Sequence, residues 1–173
     1  HITVKERTEQ AEDHSFYAGK SGKLIAVELS PPPSANDQKL LEAAHLLSAM
    51  HVDTVTFPDS PSGRTRADSI LMAAKVARET DLCVMPHICC RDKNAIAIRS
   101  QLLGAYLSDI RNALVITGDP VPSMAREDVR SVFNFDSVGL MKLVQEMNRE
   151  EFASDPFFEG GAINQNRLRL DVE

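Results

Sequence analysis

Short apolar runs alternate along the chain with stretches whose apolar residues recur every three or four positions. The first run, "LIAVEL" at 24–29, lies between Gly22 and three prolines and predicts a buried strand. From 37 to 50, Leu40, Ala44 and Leu47 have the spacing of one helix face. "TVTF" at 54–57 predicts a second strand, and an alanine-rich helix over 66–80 follows a loop holding proline and glycine. "LCVMPHI" at 82–88 predicts a third strand and 95–107 a third helix. "ALVITG" at 113–118 predicts a fourth strand ending at a glycine, and Asp136 can cap a helix that runs to about Asn148. "GGAI" at 160–163 predicts a fifth, weaker strand. Residues 1–22, polar and charged, read as a linker or peripheral helix ahead of a domain over 23–173.

Strands this apolar must be covered on both faces, and their alternation with helices predicts an α/β fold with a parallel sheet. An open doubly wound sheet and a (β/α)8 barrel of the TIM type both fit. The polar residues choose between them. Glu28, Thr56 with Asp59, His87, Asp119 and Asn164 all fall at or just past the C-terminal ends of successive strands. In a barrel those ends converge on one mouth, where active sites lie. An open sheet would show a glycine-rich phosphate turn after its first strand, and this chain has "SPPPS" there. A whole barrel needs roughly 250 residues. With 173 residues the chain is expected to cover about the first five strands of an incomplete barrel. Two exposed sheet edges would then favour homo-oligomers.

Composition removes several functions. The apolar share of 43% and the charged share of 25% are those of a globular protein. A net charge of −6 argues against a nucleic-acid partner, which needs a basic face. No apolar run is long enough to span a bilayer, and no signal-peptide pattern opens the chain. Three cysteines, two of them adjacent, make no disulfide framework and point to a cytoplasmic protein with reduced thiols.

Within that frame a few residues could carry chemistry. Glu28, ending a buried strand, is expected to lose solvation and so to hold a proton more readily, as a general acid must. The plain alternative is a glutamate paired with a nearby cation. Asp119 follows Gly118, which lets a ligand approach the backbone, or else it simply starts a turn before Pro120. His87 with Cys89 and Cys90 invites a metal, but adjacent cysteines seldom share one zinc and no second pair has finger spacing; no metal is expected. Ser62-Gly63-Arg64 could hold an anion at a helix start, although it matches no phosphate-loop pattern.

In unbroken order the chain then carries "VELSPPP", "DTVTFPDSPSGRTR", "MPHICC", "LVITGDP", "FNFDSVGLMKLV" and "GGAINQN". Together these resemble the methylenetetrahydrofolate reductase family. Their wording is nearest to the reductase module of bacterial bifunctional proteins that also carry a homocysteine S-methyltransferase module. The resemblance implies a barrel that binds FAD and takes a hydride from NADH or NADPH. The hydride goes to the methylene carbon of 5,10-methylenetetrahydrofolate, giving 5-methyltetrahydrofolate. Ring opening to an iminium requires protonation of the leaving nitrogen, and Glu28 occupies the place of the family's general acid. The triproline turn would fix the loop beside it. By the same resemblance Thr56, His87, Gly118, Asp119, Phe133 and Asn134 fall on flavin-contacting positions. Asp119 also matches a catalytic aspartate whose charge favours the cationic iminium and influences the flavin.

Thr117 and Asn164 match flavin positions less closely. Many stand-alone members have Arg-Gly-Asp where this chain has Thr117-Gly118-Asp119, and a histidine near Asn164. Family positions that hold folate, nicotinamide and part of the FAD lie on later strands. The present chain is therefore expected to bind FAD weakly or not at all. Another folate- or flavin-using barrel enzyme, and a non-catalytic half-barrel serving as a binding or assembly module, are the competing readings.

Overall fold

A computed structural model of the protein describes residues 15–125 and 128–162. Five strands and four helices alternate in it. The strands are β1 (Ala26–Glu28), β2 (Thr54–Phe57), β3 (Val84–Cys89), β4 (Asn112–Ile116) and β5 (Phe158–Gly161). The helices are α1 (Gln38–Ala49), α2 (Ser69–Glu79), α3 (Ala95–Leu107) and α4 (Ser137–Glu150). Helix starts follow local chemistry. The Asp68 carboxylate accepts the amides of Ile70 and Leu71, both at 2.9 Å, so α2 begins later than the apolar spacing predicts. Asp136 caps α4 by accepting the Gly139 amide at 2.8 Å.

All five strands are parallel and pair in the order β1-β2-β3-β4-β5. A strand order that never reverses has no switch point, unlike a doubly wound sheet. One apolar core gathers Leu40 and Ala44 of α1, Ile70 and Val76 of α2, Ile98 and Leu102 of α3, and Leu140 and Val144 of α4. Val55, Phe57, Val84, Ile88, Ala113 and Val115 meet them from the sheet. All four helices therefore lie on one face. The arrangement is compatible with the first five strands of a (β/α)8 barrel, whose helices form an outer ring.

Parallel pairing in register puts each residue on the same face as its partner. Glu28 pairs with Thr56 and Thr56 with Met85, while His87 pairs with Leu114 and Asn112 with Phe158. These residues belong to the face without helices, which in a barrel would be the lumen face and here takes that name.

The N-terminal end of that face is closed by residues expected to lie outside the domain. Ser15–Lys20 forms turns rather than a helix, and the Phe16 amide donates to Asn112 Oδ1 at 2.9 Å. The rings of Phe16, Tyr17 and Phe158 meet with centroids 5.0–5.8 Å apart. Lys20 bonds the Asp53 carboxylate at 2.9 Å, and Asp53 also accepts the Ile25 amide at 2.7 Å. The turn is thus tied to the sheet by hydrogen bonds, an ion pair and ring contacts.

Arg111 is the centre of the same end. Its side chain is 5% exposed, with Nε 2.6 Å from Asp155 and Nη1 donating to the carbonyls of Tyr106 and Ile110. Its guanidinium carbon sits 3.7 Å above the Tyr106 ring, which stacks on Phe152. We expect Arg111→Met to cost about 3–5 kcal/mol, the usual loss when a buried ion pair is broken. The urea midpoint reads it; a shift worth under about 1 kcal/mol would show that the sheet end does not need this cation.

Candidate active site

The opposite, C-terminal end of the sheet collects the polar residues. Glu28 and Thr56 are paired across β1 and β2 on the lumen face, and His87 lies one pleat nearer the mouth on β3. The burial expected of Glu28 is not present: its residue is exposed. β1 is the sheet's edge and three residues long, so among the described residues no strand covers its far side. His87 is 8% exposed. Burial pushes its imidazole pKa below the usual 6.5, while the charges of Glu28 and Asp59 pull the other way. Glu28 is therefore close enough to His87 to act on it electrostatically.

Beyond the strand ends, three loops interlock. Asp59, after β2, accepts the Cys89 amide at 3.1 Å and forms an ion pair with Lys93. Burial works to lower the Lys93 pKa, but the Asp59 charge and hydrogen bond outweigh it and the net direction is up. Ser60, Ser62 and Gly63 have φ of 46°, 56° and 65°, a left-handed turn that only glycine adopts freely. The Ser62 amide donates to Asp119 Oδ2 at 2.6 Å. The anion held by the Ser62-Gly63-Arg64 turn is thus the chain's own Asp119. A Cβ on Gly63 would stand 2.8 Å from the Pro120 carbonyl oxygen, so the two loops touch there with no room for a side chain.

Gly118, with φ of 93°, packs on β3. A Cβ there would lie 3.0 Å from Cys89 Cβ and 3.3 Å from Arg91 Cβ. Thr117 faces another way: its hydroxyl accepts the Ser137 amide at 3.0 Å and so holds the start of α4. Phe133, at φ of 40°, and Asn134 are exposed on the segment that crosses above β3. The amides of Val132 and Phe133 reach the Arg91 carbonyl at 2.6 and 3.3 Å. Asn164 lies outside the described residues.

The two cysteines at the end of β3 point apart. Cys89 Sγ faces Asp92 at 3.8 Å, and Cys90 Sγ faces the carbonyls of Ile116 and Asp136. Burial, reinforced by Asp59, pushes the Cys89 thiol up to about 12; burial and Asp136 push Cys90 up to about 11. Such thiols are poor nucleophiles.

The structure therefore brings Asp119, Gly118 and Phe133 together around Arg91, and Glu28, Thr56 and His87 together on the lumen face. Glu28 and Asp119 share the same end of the sheet, on or just past strands β1 and β4, which lie three strand spacings or ~14 Å apart. Arg91 and Lys93 went unrecognised as site residues in the sequence. Their signal was there in "CRDKN", a burst of charge directly after an apolar strand.

The family model for methylenetetrahydrofolate reductase matches residues 14–157, well over half of the chain. The chain belongs to the methylenetetrahydrofolate reductase family. Among solved structures it is similar to the carboxyl transferase domain from Rhizobium etli pyruvate carboxylase with oxamate and biotin. That match has 15% identity and a TM-score of 0.41, over 82% of this chain and 27% of that one. The same domain with 3-bromopyruvate matches at 14% identity and a TM-score of 0.38, over 82% and 26%. The chain spans about a quarter of the length of those structures.

Two measurements test this electrostatic picture. As pH falls below 6.5 the unfolded chain takes up a proton that folded His87 resists, so stability falls with pH until the folded imidazole is protonated too. Asp37, held down by Lys75, and Asp53, held down by the Ile25 amide, titrate below 3.8 and outside that window. Tm should drop between about pH 7 and pH 5, and His87→Gln should flatten the slope; an unchanged slope would clear His87. In the native protein, Cys89 and Cys90 should resist iodoacetamide at about pH 8 and react once denatured, as read by peptide mass spectrometry. Rapid native labelling would contradict their burial.

Proposed function

We propose that the protein of which this chain is part reduces 5,10-methylenetetrahydrofolate to 5-methyltetrahydrofolate with NADH or NADPH as electron donor and FAD as cofactor. The family match over 14–157 is the observation that carries this reading. The mouth suits a flat heterocycle with polar edges. Thr56 and His87 offer a hydroxyl and an imidazole from the lumen face, Asn134 a carboxamide, and Phe133 an exposed ring for stacking. Bound there, FAD would supply the hydride relay between the nicotinamide and the folate methylene carbon.

The protein's own part is protonic and electrostatic. Glu28 donates a proton to the leaving nitrogen as the five-membered ring opens. Its exposure means that the desolvation a general acid needs comes from the bound ligands stacking over β1. His87, kept neutral by burial, adds no positive charge beside it at neutral pH. Asp119, fixed through one oxygen by the Ser62 amide, favours the cationic iminium by its charge. The (β/α)8 barrel would be closed by further strands, either from the longer protein or from a second copy pairing at the edges of β1 and β5.

Glu28→Gln in the full-length protein should abolish folate-dependent flavin reoxidation while sparing flavin reduction by NAD(P)H, both followed by flavin absorbance. Equal loss of the two half-reactions would reassign Glu28 to structure. The 173-residue chain alone should bind FAD weakly or not at all in a visible-absorbance titration; tight stoichiometric binding would show that the later strands are dispensable for the cofactor.

A further inference from the structure

The geometry points to Arg91 as a positioning residue that locks the loops after β2 and β4 together and thereby aims Asp119; this rests on the function proposed above. Its side chain is 3% exposed. Nη1 donates to the Ser60 carbonyl at 3.0 Å and lies 3.5 Å from the Asp119 carbonyl, while Nη2 meets Asp92 at 3.1 Å. The Arg91 carbonyl receives the amides of Val132 and Phe133. One residue just past β3 thus contacts the loop after β2 at Ser60 and two separate points of the long loop after β4, Asp119 and Val132–Phe133.

Stability alone is a poor reason to bury this cation. Its carboxylate partner Asp92 is 42% exposed, and a well-packed apolar side chain usually serves a buried position at least as well as an ion pair. What a guanidinium offers is a planar fork with several donors in fixed directions. That fork holds the Ser60 and Asp119 carbonyls through Nη1 and the Asp92 carboxylate through Nη2 at once, which a lysine ammonium on a flexible stem does poorly. The turn it grips needs such a grip, because Ser60 and Ser62 both sit in the left-handed region. With Ser60 held by Arg91, the Ser62 amide is aimed at Asp119 Oδ2, and the carboxylate has one orientation instead of several. Arg91 therefore acts on the reaction through Asp119.

A double-mutant cycle in the full-length FAD-loaded protein tests this, with Arg91→Met, Asp119→Asn and their combination, read by folate-dependent flavin reoxidation. Arg91→Met should slow that step about 10- to 100-fold with a small change in folate KM, the scale expected when a reacting group is misplaced. Adding Arg91→Met to Asp119→Asn should cost nothing further. Additive losses, or a full rate in Arg91→Met, would overturn the assignment. Arg91→Lys should recover only part of the rate, and full recovery would show that charge rather than the fork matters. Where Arg91→Met does not fold, Arg91→Lys enters the same cycle. If the wild-type protein shows no folate-dependent step, the proposed function fails, and the clamp is judged by hydrogen exchange at the Ser62 amide. Faster exchange in the Arg91 variants supports it; unchanged exchange refutes it.

Discussion

In-register parallel pairing is the constraint from which the rest of the molecule follows. Once β1 pairs with β2 at Glu28–Thr56, and β3 with β4 at His87–Leu114, no side chain on these strands is free to choose its face. The apolar partners Val55, Val84, Ile88 and Val115 go to the helices, and Glu28, Thr56 and His87 go to the lumen. A slip of one residue in β1 would send Glu28 into the core and Val27 into the mouth, and a slip in β3 would exchange His87 and Ile88 in the same way. The stability of the core and the composition of the site are thus two results of one registration.

Most of this was legible in the sequence because it depends on local pattern. "TVTF" and 95–107 bound a strand and a helix that the structure places at the same residues. The strand ends carry Glu28, Thr56, Asp59, His87 and Asp119, as the pattern predicts, and the ordered motifs point to the family that the comparison finds. Contacts between distant loops were not legible. Nothing local to Ser62 says that its amide will meet a carboxylate 57 positions away, and nothing in "CRDKN" says that its arginine folds inward while Asp92 stays out. Glu28 failed for a similar reason: the burial of an apolar strand depends on its neighbours, and β1 has a neighbour on one side only. Thr117 shows the same limit, since its hydroxyl is engaged by a helix start 20 residues away.

The two ends of the sheet divide the work. At the N-terminal end, Arg111, Asp155, Tyr106 and Phe152 form a packed polar-aromatic knot, and Phe16 with Tyr17 closes the lumen. At the C-terminal end, strained turns, the exposed ring of Phe133 and the buried Arg91 shape the mouth. Strain is tolerable there because the fold does not depend on it for cohesion.

One outcome of that division concerns descent rather than chemistry. A scaffold whose packing is seated around Arg111 leaves the rim at Arg91 to change as a set: the crossings after β2, β3 and β4 touch one another, so they can trade residues over generations only together. Lineages sharing this sheet would then diverge first in whatever their cavities accept, long before their architecture drifts.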